Sequence, residues 1–303
     1  MRKNKLSERI TRICCLLLAL IMIFSLAACG ASKDDDEDDK VAVSDSPDKD
    51  EDEVKVDLSN QDITDLTKAD IPANVTYLIL TGNKLTDITP LEKFTKLRVL
   101  VLAGAKTIND FSPLAKLTKL RRLDLPHTNI TDLSPLESLT KLEKLNLTYC
   151  KISDLTPLAK LTNLNELLSS NTQISNISSL SNMVNLKTLE LDDNQISDLT
   201  PLTSLTKLEL LRIRRNQISD VSPLSNMTEL SLLNLRGNQI KDISPFSNLI
   251  GLLDLDLSNN QISDVSPLYN LTRLKMLDLD ENDLTQQQID DLQKRLPDCS
   301  IVY

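Results

Sequence analysis

The 303-residue chain has no tryptophan and only 3% aromatic residues, so its core must be built mainly from leucine. The same scarcity leaves little aromatic surface for stacking against sugars. Glycine is limited to five residues, and none forms a phosphate-cradling loop. The single histidine, His127, follows Pro126 in a turn with no nucleophile in a recognisable motif, and it reads as an exposed polar residue. Five cysteines and one histidine, scattered as they are, give no zinc-type ligand set. Neither an enzyme nor a bound cofactor is expected.

What the chain does have is unevenly placed charge. Residues 1–12 carry +4 and residues 33–53 carry −9, which leaves −5 of the total −10 for residues 54–303. A mildly acidic body argues against nucleic acid as the partner.

The basic start is followed by an apolar run, Ile13 to Ala28, too short for a spanning helix of about 20 residues. Residues 1–28 therefore read as a signal peptide. Leu26-Ala27-Ala28-Cys29 resembles the lipobox of bacterial lipoprotein precursors. That resemblance implies cleavage before Cys29, a diacylglyceryl group on its sulfur, and an extracytoplasmic, lipid-anchored location. Several acyl chains hold a protein firmly where one does not. Residues 29–52 are acidic and poor in apolar side chains, and read as a disordered, self-repelling tether. Carboxylates in an unbroken run lack the turns that a calcium loop requires.

From Val75 the chain repeats with a period of 22: "LKTLELDDNQISDLTPLTSLTK" at 186–207 matches "LLDLDLSNNQISDVSPLYNLTR" at 252–273. Coils start at 75, 97, 120, 142, 164, 186, 208, 230, 252 and 274; the coil at 97 alone has 23 residues. Residues 53–74 form a degenerate N-terminal repeat or cap, 75–273 nine regular leucine-rich repeats, and 274–303 the last repeat with its cap. The expected fold is an α/β repeat solenoid: a curved array with a parallel concave sheet and short 3-10 or α turns on the convex side. "DLTQQQIDDLQKRLPDCSIVY" ends it as a helix over about 286–295 followed by a strand.

Each repeat position carries a physical task. Apolar residues at positions 1, 4, 6 and 11 face inward. Asparagine at position 9 (Asn83, Asn194, Asn216, Asn238, Asn260, Asn282) can both donate to and accept from the turning backbone. Thr128, Cys150 and Thr172 are smaller hydrogen-bonding replacements, and Ala105 cannot bond at all. Ser or Thr at position 15 before proline reads as an N-cap then the first helical residue. Asp at position 13 can take up further amides. Cys150 and Cys299 lie too many coils apart for a disulfide, and Cys14 and Cys15 depart with the signal.

Positions 3, 5 and 7 face the concave side, where nothing in the scaffold fixes the residue type. Early coils offer an apolar patch of Tyr77, Ile79, Val99 and Val101. Arg122, Lys144 and the adjacent Tyr149 follow. The middle coils place Glu190 and Asp192 beside Arg212 and Arg214, with Asp193 beside Arg215. Arg236 has no acidic neighbour in the coil before it, and Asp256, Asp278 and Asp280 close the face. This surface is the candidate protein-binding site.

"NQISDLTPLTSLTKL" and its copies resemble the internalin-type bacterial leucine-rich repeats over roughly 75–285. The resemblance implies a surface protein that grips a protein ligand through its concave face; the chain itself is expected to be a monomeric solenoid. The short entry before coil 75 and the end at Tyr303 depart from the helical cap and the following domains usual in internalins. An alternative reading is a binder of envelope polysaccharide or peptidoglycan.

Overall fold

The computed structural model describes residues 53–303. The expected signal peptide, Cys29 and the acidic segment 29–52 lie outside the described residues. Val54–Tyr303 form one compact unit.

Twelve three-residue strands run in chain order through one parallel sheet, from β1 (Lys55–Asp57) to β12 (Ser300–Val302). Neighbouring strands pair in an unbroken register that follows the repeat: Tyr77 opposes Val99, Val99 opposes Arg122, and Arg122 opposes Lys144. The 23-residue coil keeps that register, so its extra residue is absorbed outside the strand.

In each coil the leucines are the reason for the shape. In coil 208, Leu208, Leu211, Ile213, Ile218, Val221, Leu224 and Met227 are all at most 1% exposed. Positions 14, 17 and 20 thus join positions 1, 4, 6 and 11 inside. Each such side chain contributes about 1.5–3 kcal/mol of burial, and stacking coils extends one continuous core. Ser169 is the polar exception at position 6, fully buried with no hydrogen-bond partner for its hydroxyl.

The turn side corrects one expectation. The short 3-10 turns begin at the Ser or Thr of position 15, and the residue before it has no side-chain cap bond. The cap is the aspartate two residues earlier: Asp132 accepts from the Ser134 N–H at 2.8 Å and Asp198 from the Thr200 N–H at 2.8 Å. Asn176 does the same for Ser178 at 2.9 Å in the coil without proline. A side chain at position 13 reaches the first free amide as an Asx turn, which leaves the Ser or Thr free to enter the turn itself. These bonds hold the Asp132 and Asp198 carboxyls below the ordinary carboxylate range.

The sheet ends under α1 (Gln286–Arg295), which opens on a reciprocal capping box between Thr285 and Gln288. Its Ile289 and Leu292 are buried on the last leucine layer, and β12 pairs with the final repeat strand (Met276–Asp278).

Candidate functional site on the concave face

A left-handed residue at position 8 ends every strand segment. Gly82, Gly104 and Gly237 adopt it without a steric penalty, and His127 (φ 57), Tyr149 (φ 61), Arg215 (φ 52) and Glu281 (φ 54) adopt it too, against the preference of a residue with a Cβ. The asparagine that follows stabilises this bend. In Asn216, Oδ1 accepts from the Ile196 N–H of the coil before, while Nδ2 donates to the Leu191 and Ile213 carbonyls. This geometry stacks His127 on Tyr149, with ring centroids 4.4 Å apart and planes 10° from parallel. The exposed histidine thus forms part of an aromatic step at the rim of the face.

At the N-terminal end the strands bring Tyr77 beside Val99 and Ile79 beside Val101. Lys55 Nζ lies 4.6 Å above the Tyr77 ring. Tyr77, Ile79 and Val99 are half-buried, and Val101 is only 7% exposed. Next to them Arg122 folds onto Asp124 of its own strand, Nη2 to Oδ2 2.8 Å, with both residues buried. Lys144 reaches Glu166 at 3.0 Å.

The middle coils pair charge as the repeat register requires. Arg212 approaches Glu190 at 3.7 Å and Arg215 approaches Asp193 at 3.3 Å. Arg214 Nε lies 3.0 Å from Asp192 Oδ2, although poorly aligned for a hydrogen bond, so this contact is mainly electrostatic. The Arg214 backbone N–H does bond to Asp192 Oδ1 at 2.7 Å. Arg236 is exposed and its side chain makes no ion pair with a described residue. Beyond it, Asp256 opposes Asp278, and Asp280 donates its N–H to Asp278.

Three residues expected to offer open contact surface are therefore mostly covered: Val101, Arg122 and Asp192. A strand face with neighbours only about 4.8 Å away on both sides shields any side chain that lies down along it. Conversely, Leu210 and Leu232 oppose one another on the same face, half-buried, and form an apolar pair beside Arg212. Their signal lay in the sequence, at position 3 of two consecutive coils, but their apolar type let them pass as scaffold.

Burial pushes the concave carboxyls up: Asp124, Glu190, Asp254 and Asp278 all move in that direction. Asp192 rises to about 6, because its desolvation outweighs the Arg214 N–H bond and the guanidinium charge. The native state then holds a proton that the unfolded chain has released between about pH 4 and 6. Asp192 thus favours folding below that window and progressively less as pH rises through it. Arg214→Met should destabilise the solenoid by about 1–3 kcal/mol at pH 8, where Asp192 is left charged without its cation. At pH 5 the carboxyl is protonated and the gap should shrink by more than half. Urea midpoints of both proteins at the two pH values measure this; a gap that does not change with pH rules the coupling out.

Comparison with known proteins agrees with this geometry. The family model "Leucine Rich repeats (2 copies)" matches successive segments between residues 73 and 294. An internalin (inlF) from Listeria monocytogenes is 37% identical, with a TM-score of 0.66 over 76% of this chain and 74% of that one. An internalin C2 (inlC2) from the same species is also 37% identical, with a TM-score of 0.54 over 60% of this chain and 76% of that one. A leucine-rich repeat protein of Leptospira interrogans shares the fold at 23% identity, TM-score 0.55, over 76% of this chain and 73% of that one. A search of curated proteins gave no match. The fold and its ladder define a leucine-rich repeat protein. Within that class, the chain belongs to the internalin-type family.

Proposed function

We propose that this chain is a protein-binding module, held by lipid on Cys29 at the extracytoplasmic face of a bacterial membrane, and that its concave face grips the partner. The observation that carries the reading is the contrast between the two sides of each strand. Position 4 is leucine in every coil from 75 to 274, whereas positions 3, 5 and 7 vary among apolar, polar, basic and acidic residues from coil to coil. A scaffold alone gives no reason for that variation, and a partner of matching relief does.

The exposed part of the central strip is Arg236 together with half-exposed Arg212. Arg214 is a poorer probe, because Asp192 depends on it. In a crosslinking pull-down from an envelope extract, Arg212→Glu with Arg236→Glu should lower capture of the partner by about tenfold or more, as reversing rim charge both removes attraction and adds repulsion. The circular dichroism of the variant should be unchanged. Equal capture by variant and parent would remove the concave strip as the contact.

A further inference from the structure

The flank where each turn returns to the next strand carries charge that concave binding leaves unused. Counted past the extra residue of coil 97, positions 19 and 22 of four consecutive coils hold Lys93, Lys96, Lys116, Lys119, Lys141 and Lys160. The other two places in those coils are Ser138 and Asn163. All six lysines are exposed, and none makes an ion pair with a described residue. In the next five coils the same positions carry only Lys207 and Arg273, partly offset by Glu229. The body as a whole is net acidic, so this strip stands out against it.

The scaffold does not require lysine there. Position 22 is equally Asn185, Glu229 or Gly251 in coils of the same geometry. The strip is also rigidly spaced. Backbone bonds run along its edge from Arg98 N–H to Thr76 O at 2.8 Å, then Arg121 N–H to Arg98 O at 2.7 Å, then Glu143 N–H to Arg121 O at 2.7 Å. Lysines of adjacent coils therefore sit one strand spacing apart at the backbone, roughly 4.8 Å, and Lys116 and Lys160 two coils apart across Ser138. Glu92 and Glu137 stand one position nearer the turn edge, and Glu143 is occupied by Arg121 at 3.2 Å. At its far end the strip opens into a groove of about 530 Å³ lined by Lys141, Asn163, Lys187 and Lys207 among others.

We infer that this basic flank lies against an anionic phospholipid surface. Two rows of lysines on backbone positions set by the coils offer exposed ammonium groups to a plane of lipid phosphates, and attraction accumulates with each lysine near such a surface. The solenoid also begins on this flank: Val54, at position 2 of the first coil, donates its N–H to Thr76 Oγ1 at 2.9 Å. The first residues of the solenoid therefore lie at the edge that bears the lysines. The biological setting rests on the lipid-anchored reading, but the surface itself is testable without the anchor.

The test uses residues 54–303, which form a compact unit with its own continuous core. Sedimentation is measured with vesicles of phosphatidylcholine alone and of phosphatidylcholine mixed with phosphatidylglycerol. Binding should need the anionic lipid and fall with added salt. The triple variant Lys96→Glu, Lys119→Glu, Lys141→Glu should weaken it by about tenfold or more. Lys106→Glu, Lys151→Glu, Lys241→Glu, an equal charge change on the opposite flank, should weaken it less than about twofold. Equal losses in the two variants overturn the assignment, and so does an absence of binding to the anionic vesicles. Binding to soluble polyphosphate but not to vesicles overturns it in favour of an anionic polymer. Because residues 54–303 do not include Cys29, no outcome bears on the anchor, which Cys29→Ala in the full chain measures separately.

Discussion

Asn216→Ala should cost the solenoid about 2–4 kcal/mol, seen as a fall in urea midpoint with an unchanged slope. The side chain is 8% exposed and serves two coils at once. Its Oδ1 holds the Ile196 N–H at 2.9 Å, and its Nδ2 holds the Leu191 carbonyl at 3.0 Å and the Ile213 carbonyl at 3.2 Å. Alanine strands these groups where water does not reach, and the penalty is their desolvation rather than the loss of one average bond. Coil 97, with Ala105 at position 9, has no such side-chain ladder; there the Ala105 N–H donates to the Leu102 carbonyl at 3.3 Å, and Asn83 Nδ2 of the coil before donates to the Leu80 carbonyl at 2.9 Å. Neighbouring Gln217 is exposed, and Gln217→Ala should change stability by less than about 0.5 kcal/mol. If Asn216→Ala behaves like Gln217→Ala, the ladder is not what fixes the bend.

The fold was legible because one constraint is repeated through the array. Leucine at positions 1, 4 and 6 has only one way to be buried in a 22-residue turn, and the strand register follows. Ladder chemistry was legible too: Cys150 sits where asparagine is expected, and its Sγ does reach the Leu125 carbonyl at 3.1 Å. The left-handed bend at position 8 was hidden, because Tyr149, Arg215 and Glu281 carry no turn signature. The surrounding bonds impose that conformation against their own preference. The cap was misread for a related reason: Ser-Pro has the form of an N-cap and first helical residue, yet the aspartate two residues before it reaches the amide first. On the concave face, position told which side chains point outward but not how far each stays exposed. Arg122 lies along its strand to meet Asp124, and Asp192 sinks beneath Arg214. The first pair is two residues apart along one strand and the second twenty-two apart across neighbouring coils, and residue type at a position does not say which of these partners a side chain takes.

Cys29→Ala should abolish lipid labelling of the protein and leave the unprocessed precursor, which still carries the apolar run Ile13 to Ala28 and is read by its larger size on a gel. The proposed anchor requires a sulfur nucleophile at that place, and a methyl group cannot take its role. The structure makes this a clean experiment, because the other cysteines offer no substitute. Cys14 and Cys15 lie within the segment that the proposed cleavage removes. Cys150 is 1% exposed, with its Sγ directed at the Leu125 carbonyl and the Thr128 hydroxyl. Cys299 is 5% exposed, and burial pushes its thiol up to about 11, far from the reactive thiolate. Any label on the mature chain must therefore report Cys29. Undiminished labelling, or a mature product of unchanged size, would place the lipid elsewhere and overturn the anchored reading. It would leave the concave face to be judged on its own.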